Sequence, residues 1–503
     1  MKPRAAKGKR RSLTSPKGRI FKTRSSERQT RMNVKKARKH TDGRMNPMGE
    51  RTSVDLFTGM AVVNRQPVGE VLQNHSTAHD ETRALPTDLM ERITELSNLA
   101  GAFDRVRKNG GSPGVDGMKV EVLPEWFPSN YAKLQAQLLS GKYQPQPVKG
   151  VQIPKPKGGF RQLGIPTVID RGIQEAIRRI LGPILNAEFS QNSFGYRPGL
   201  SGQDAVKRAS AHAQTGKRYV IDLDIEKFFD KVNHDRLLWQ LSRRIGDKRV
   251  LQLIGKYLRS GMMQDGLVSQ RTEGTPQGGP LSPLLSNLVL HELDNELEKR
   301  GHRFVRYADD IKIFVASPMA AARVAESVTR FIEGKLKLKI SKEKSRICRP
   351  WELNFLGHTI LAKGRVGLSK ESEEKLKSNI RKITRRNRGV SLESMIEELN
   401  QKFVGWVNYF RYASMGKKLE RLEGWTRRKL RCVRLKQCKR TYSIMKFLKS
   451  LGLEEYRCWL IALSGKGWWR ISSTPAVNEG MNIEWFARLG LISLTAQYIR
   501  VNS

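Results

Sequence analysis

Two adjacent carboxylates, Asp309 and Asp310, interrupt an otherwise apolar stretch, with Phe304-Val305-Arg306-Tyr307-Ala308 before them and Ile311-Lys312-Ile313-Phe314-Val315 after. The pattern predicts a β-hairpin with both acids at its turn. An isolated Asp pair is ordinarily a solvated turn. Acids held this close repel each other unless a cation lies between them, and hard oxygen donors suit Mg²⁺ shared with substrate phosphates. Upstream, Tyr219 to Ile225 alternates with period two, placing Tyr219, Ile221, Leu223 and Ile225 on one face and Val220, Asp222 and Asp224 on the other. A strand this apolar belongs inside a sheet, where a carboxylate costs on the order of several kcal/mol unless it is paired or bound to metal. Beside the hairpin, Asp224 would join Asp309 and Asp310 in a cluster able to hold two metal ions for nucleotidyl transfer. Asp222, one pleat away on the same face, is the other candidate.

Between these segments lies Gly274-Thr275-Pro276-Gln277-Gly278-Gly279-Pro280-Leu281-Ser282-Pro283. The three blocks, in this order, resemble the core of the reverse transcriptases encoded by bacterial group II introns, with Tyr307-Ala308-Asp309-Asp310 standing as that family's palm signature. The resemblance extends over residues 85 to 490. It implies an α+β right-hand polymerase, with fingers and palm over 85–365 and an α-helical thumb and maturase-specific domain over 366–455. It also implies Asp224, Asp309 and Asp310 as catalytic residues and metal ligands, the Ile225 backbone carbonyl as a further ligand, and two Mg²⁺ ions as cofactor. The preference for Asp224 over Asp222 rests on its distance from Phe228-Phe229, as the family has it.

Other residues gain meaning from the same resemblance. Val151 to Leu163 reads as strand, turn and strand around Gly158-Gly159, and its cations could clamp a triphosphate. Lys155 and Arg161 fall where the family's fingers contact the incoming nucleotide. Gln277 resembles the residue at the nucleotide and template floor. Phe229, five positions after Asp224, corresponds to the bulky side chain that excludes a ribose 2′-OH, although it could equally be a core aromatic. Lys344 resembles the family's lysine after the palm hairpin. Asn192 to Gly199 matches a block, with Tyr196 in place of Phe, that contacts template or packs the fingers.

The elements that must position these residues are legible in outline. Apolar residues recur at helical spacing from Leu85 to Asn109, through Leu89, Ile93, Leu96, Leu99 and Phe103. Gly110 to Gly117 is a turn-rich loop. A helix from Asp170 to Leu181 is expected to stop at Gly182-Pro183, and another to begin at Leu284 once the Pro and Gly residues are past.

Composition narrows the partners. The chain has 503 residues, with 93 Lys plus Arg against 48 Asp plus Glu, a net charge of +45. Such an excess points to a polyanion, because neutralised phosphates release counterions. Residues 1–50 carry 17 cations and 3 acids with almost no apolar periodicity. The segment 1–84 therefore reads as a basic, disordered extension that orders on RNA. Its composition also suits an organellar transit peptide, but it lacks the amphipathic pattern. Residues 370–450 carry 12 Lys and 11 Arg against 8 Glu. Within them Arg427, Arg428, Lys429, Arg431, Arg434, Lys436, Lys439 and Arg440 form a basic run interleaved with aromatics, suited to RNA phosphates and unpaired bases. Residues 456–503 read as a C-terminal appendix without the endonuclease domain found in some relatives. Cys348, Cys432, Cys438 and Cys458 make no paired spacing, and no apolar run reaches the roughly 18 residues a membrane span needs. A cytoplasmic chain with reduced thiols is expected.

The expected function is RNA-directed DNA polymerisation joined to binding of a group II intron RNA for splicing and mobility. Its partners would be that RNA, an RNA template with a DNA primer, dNTPs and target DNA. Two rivals stay open: a domesticated or defence-associated reverse transcriptase without a splicing role, and an RNA-binding splicing factor only.

Overall fold

The computed structural model describes residues 85–155, 158–264 and 266–503. The basic extension expected over 1–84 lies outside the described residues. Three helices lead in, α1 (Leu89–Thr94), α2 (Leu96–Asn109) and α3 (Leu123–Leu139). The hairpin of β1 (Val148–Pro154) and β2 (Phe160–Ile165) precedes α4 (Val168–Glu188) and α5 (Gly202–Gln214). Next come β3 (Tyr219–Asp224), α6 (His234–Ser242), α7 (Lys248–Arg259), the short strands β4 (Met262–Gln264) and β5 (Leu267–Ser269), and α8 (Ser282–Lys299). The second hairpin, β6 (Arg303–Tyr307) and β7 (Asp310–Val315), leads to α9 (Pro318–Phe331), β8 (Arg346–Cys348), β9 (His358–Ile360) and β10 (Val366–Leu368). The rest is helical: α10 (Lys370–Ile383), α11 (Leu392–Phe410), α12 (Lys418–Gln437), α13 (Thr441–Lys449), α14 (Glu455–Ala462), α15 (Trp468–Ile471), α16 (Pro475–Gly480), α17 (Ile483–Arg488) and α18 (Leu494–Asn502).

The class is α+β, as expected. Three helix boundaries differ from the sequence reading. The stretch from Leu85 to Asn109 is two helices, because Glu95 is extended at ψ 137°. Leu85 and Leu96 are consequently exposed, while Leu89, Ile93, Leu99 and Phe103 are buried. Helix α4 does not stop at Gly182-Pro183 but runs on to Glu188 with Pro183 inside it. An interior proline costs about 3 kcal/mol, and the burial of Leu181 and Leu185 on one stripe offsets it at roughly 1.5–3 kcal/mol each. Helix α8 begins at Ser282, two residues early, since Pro283 sits in its first turn, where a missing N–H goes unneeded.

The central sheet has the order β6-β7-β3-β8, all antiparallel, with β3 inside as its apolarity predicts. Its faces divide the chain's two cores. Ile221 and Leu223 join the core of α1 to α4 and α6 to α9, while Val220, Val305 and Phe314 join that of α10 to α18. The second core runs without interruption from Leu376 through Phe403 and Leu430 to Phe486 and Leu494. Residues 456–503 are thus packed into it, stitched by Asn400 to Gly490 and Ile492 and by the Tyr498 hydroxyl to the Ala413 carbonyl. The β1-β2 hairpin carries Lys155 at its tip and pairs Arg161 with Ile153; β4 and β5 extend its sheet. Among the described residues no helix is long and apolar enough to cross a membrane.

Candidate active site

The hairpin expected from sequence is formed, with Tyr307 paired to Asp310 across a two-residue turn of Ala308 and Asp309. Asp310 is therefore the first residue of β7 and not part of the turn. It also pairs with Asp224 at the end of β3, so the acids meet where the two strands finish. An open cleft of about 1400 Å³ lies there. Asp224, Ile225 and Asp309 line it together with Lys155, Arg161, Tyr196, Phe229, Gln277 and Lys344.

The carboxylates differ in company. Lys344 Nζ lies 3.0 Å from Asp224 Oδ1. The segment carrying Lys344 is tied to Asp224 by Ser341 N–H donating to its carbonyl at 2.8 Å and Ser345 Oγ accepting from its N–H at 3.1 Å. Burial pushes the Asp309 carboxyl up and the Asp224 charge adds to this, while its own backbone N–H, Arg161 and Lys344 oppose it. Asp310 is also pushed up, by burial and then by the Asp222 and Asp309 charges against the pull of Lys312, so repulsion at this hairpin runs both from Asp224 to Asp309 and from Asp309 to Asp310.

Asp310 belongs to a different arrangement. Lys312, whose side chain is 3% exposed, bridges Asp310 and Asp222. Arg346 adds a contact to Asp222 at 3.4 Å. Asp222, the alternative metal candidate, is therefore neutralised locally. Among the described residues no three His, Cys, Asp or Glu side chains stand close enough together to hold a metal ion. The three-acid cluster expected from sequence is in this geometry a facing pair, Asp224 and Asp309, with Asp310 turned to Lys312.

The floor is built from backbone. Gln277 O accepts from Gly164 N–H at 2.9 Å, and a Cβ on Gly278, at φ +136°, would lie 2.6 Å from the Gly164 carbonyl. Only glycine allows that approach. Thr275 N–H donates to the Phe229 carbonyl at 2.6 Å, and the Phe229 ring meets Phe228 edge-on at 5.3 Å. Phe229 is both half-buried against the first core and exposed to the cleft.

The sequence reading missed what holds the turn. Arg306 and Asp294 are both 0% exposed and form a bidentate pair at 2.7 and 2.5 Å. The Arg306 guanidinium also donates to Asn287 Oδ1 at 2.9 Å and to the Ala308 carbonyl at 3.0 Å. The signal was an arginine inside an apolar strand, which a buried position obliges to find a partner.

Residues 153–360 match the family model "Reverse transcriptase (RNA-dependent DNA polymerase)" and residues 374–450 match "Group II intron, maturase-specific domain". Group II intron-encoded protein LtrA of Lactococcus lactis subsp. cremoris is 31% identical over 52% of this chain and 54% of its own length. Protein YkfC of Escherichia coli K12 is 32% identical over 61% of this chain and 91% of its own. The chain belongs to the reverse transcriptases that carry a group II intron maturase-specific domain. It spans about half the length of LtrA. Among solved structures, a chain of a partial Cas6-RT-Cas1--Cas2 complex matches 49% of this chain and 42% of its own length at 28% identity, with a TM-score of 0.33.

The family model matched by residues 153–360 describes RNA-dependent DNA polymerases, a family that works with divalent metal ions. The donors present fit such an ion: two carboxylates lining one cleft, one of them pushed up by burial and then by its neighbour's charge, on a wall that also carries Ile225.

In the maturase-specific domain the basic run of α12 is not one cationic stripe. Arg431 is buried and donates twice to the Met481 carbonyl, at 3.0 and 2.8 Å, and burial pulls its guanidinium down to about 10. Arg434 lies 4.3 Å from the Phe447 ring centroid, and Arg427 faces Glu423 at 3.4 Å. These three serve packing, because helical periodicity turns every third or fourth residue of the run inward. Arg428 stacks on Trp469 at 3.9 Å, and Lys429 lies between Trp425 and Trp469. Lys436 reaches Asn387, and Lys439 and Arg440 are exposed.

Proposed function

We propose that RNA-templated addition of deoxynucleotides to a primer 3′ end takes place between Asp224 and Asp309, and that the outward cations at the end of α12 and just beyond it, Lys436, Lys439 and Arg440, bind the group II intron RNA to assist its splicing. The observation that carries the first part is the facing of these two acids in a cleft whose other walls bring Lys155, Arg161, Phe229 and Gln277. Asp224, Asp309 and the Ile225 carbonyl would hold two Mg²⁺ ions, which supply charge neutralisation for the triphosphate and a more acidic primer hydroxyl. Arg161 and Lys155 bind the triphosphate from the fingers. Phe229 fills the space a ribose 2′-OH would need, and Gln277 presents the backbone floor to the base pair. Lys344 gives charge to the pyrophosphate side. Mobility into a DNA target belongs to the same reading, as does a reducing compartment for four unpaired thiols.

The test combines primer extension on an RNA template with splicing of RNA transcribed from the sequence flanking the gene. Asp309→Ala lowers extension by roughly 10³-fold and leaves splicing assistance in place. Extension with no binding or splicing of flanking RNA would favour the domesticated enzyme. Phe229→Val raises ribonucleotide incorporation about tenfold, read from a single-nucleotide assay, and an unchanged ratio rejects the gate.

A further inference from the structure

We propose that Arg306 is a positioning residue for polymerisation, a buried clamp that sets the direction of Asp309 by holding the Ala308 carbonyl. The inference rests on the reading of Asp309 as a reacting-site ligand. An ion pair with Asp294 occupies Nε and one terminal nitrogen of the guanidinium. The other terminal nitrogen is divided between Asn287 Oδ1 and the Ala308 carbonyl. That carbonyl belongs to a residue at φ +57°, a left-handed conformation costing an L-residue about 1–2 kcal/mol, so the turn needs something to hold it.

A second wall closes on the same turn. Asn287 Nδ2 donates to the Gly195 carbonyl at 2.8 Å, and a Cβ on Gly195 would lie 2.3 Å from Ala308 N. Arg306 N–H and carbonyl are themselves bonded to Asn192 and Phe194. Asp309 follows Ala308 directly in the two-residue turn, so the direction of its side chain is set by the turn. Stability does not explain the device, since a buried ion pair contributes little against an apolar replacement of similar volume. Orientation does, because a metal ligand is placed by the groups behind it.

Arg306→Lys removes the fork that reaches Ala308, and Gly195→Ala pushes on the turn from the other side while leaving the ion pair intact. Arg431→Ala, in the other core, is the stability control. Each full-length variant is followed by thermal unfolding, by Tb³⁺ luminescence titration of the metal-free protein counted above an Asp309→Asn blank, and by single-nucleotide incorporation. Arg306→Lys and Gly195→Ala weaken Asp309-dependent Tb³⁺ binding by roughly tenfold or more and lower kcat by about 10²-fold, with the KM for primer-template unchanged. Arg431→Ala loses stability and keeps the Tb³⁺ site. Wild-type Tb³⁺ affinity in Gly195→Ala, or losses that follow melting temperature alike in all three, would overturn the clamp. Should Arg306→Lys not fold, Asp294→Asn, which loosens the guanidinium while leaving the turn residues in place, decides by the same readings. If the Asp309→Asn blank binds Tb³⁺ as tightly as the wild type, the assignment of Asp309 fails and the clamp with it.

Discussion

The palm sheet and the C-terminal helices bury charge by the same rule and are left with opposite remainders. In the palm, Arg306 is matched by Asp294 and Lys312 by Asp222 and Asp310, and the acids left facing the cleft are Asp224 and Asp309. In the helices, Arg431 takes a carbonyl, Arg434 an aromatic ring and Arg428 both on Trp469, and the cations left outward include Lys439 and Arg440. A charge that leaves water must find a local partner. The proposed function falls to what has been left over: acids for metal and triphosphate, cations for RNA.

The largest effect should come from breaking the compensation in the palm. Lys312→Met leaves Asp310 without its cation and Asp222 with Arg346 alone, and costs about 3 kcal/mol, measured by denaturant unfolding. A wild-type midpoint would mean that Asp222 and Asp310 do not depend on it, and the contrast drawn above would fail. Smaller is the effect of Arg431→Ala, which leaves the Met481 carbonyl without its donor at a cost of about 1–3 kcal/mol. The paired variant Lys439→Ala/Arg440→Ala should be stable to within about 0.5 kcal/mol yet reduce the slope of log affinity for RNA against log salt by roughly 1 to 2. If Arg431→Ala changed that slope while melting normally, the inward and outward cations would be one class after all.

Smallest is the effect of Asp309→Asn on the metal-free protein. The carboxyl of Asp309 lies above its ordinary value of 3.8 through burial and the Asp224 charge. A raised acid penalises the folded state once it ionises, so the amide raises the melting temperature at neutral pH. That gain shrinks as pH falls through the raised value and is gone below the ordinary 3.8, where the carboxyl is protonated in the folded and unfolded chain alike. A gain that persisted at low pH would locate the effect in packing and not in charge.

The amino-acid pattern alone determined a good deal. Period-two alternation put Asp222 and Asp224 on one face of an interior strand, and the break in an apolar run at Asp309 marked the hairpin, because strand periodicity and turn chemistry are local properties. The family resemblance supplied the order of fingers, palm and maturase-specific helices, and the surplus of Lys and Arg pointed to nucleic acid. Only the tertiary structure decided which equal-looking residues have equal jobs. Adjacent in sequence, Asp309 faces the cleft and Asp310 faces Lys312, since a register two strands wide brings Asp222 opposite Lys312. The run Arg427 to Arg440 reads as uniform cations, yet helix geometry sends Arg431 into a core made by residues some 50 positions away. Pro183 stays helical for the same kind of reason: burial of neighbouring side chains outweighs a local preference. Local physics set the elements, and long-range pairing decided which acids line the cleft, Asp224 beside Lys344 and Asp309, and which is turned to Lys312.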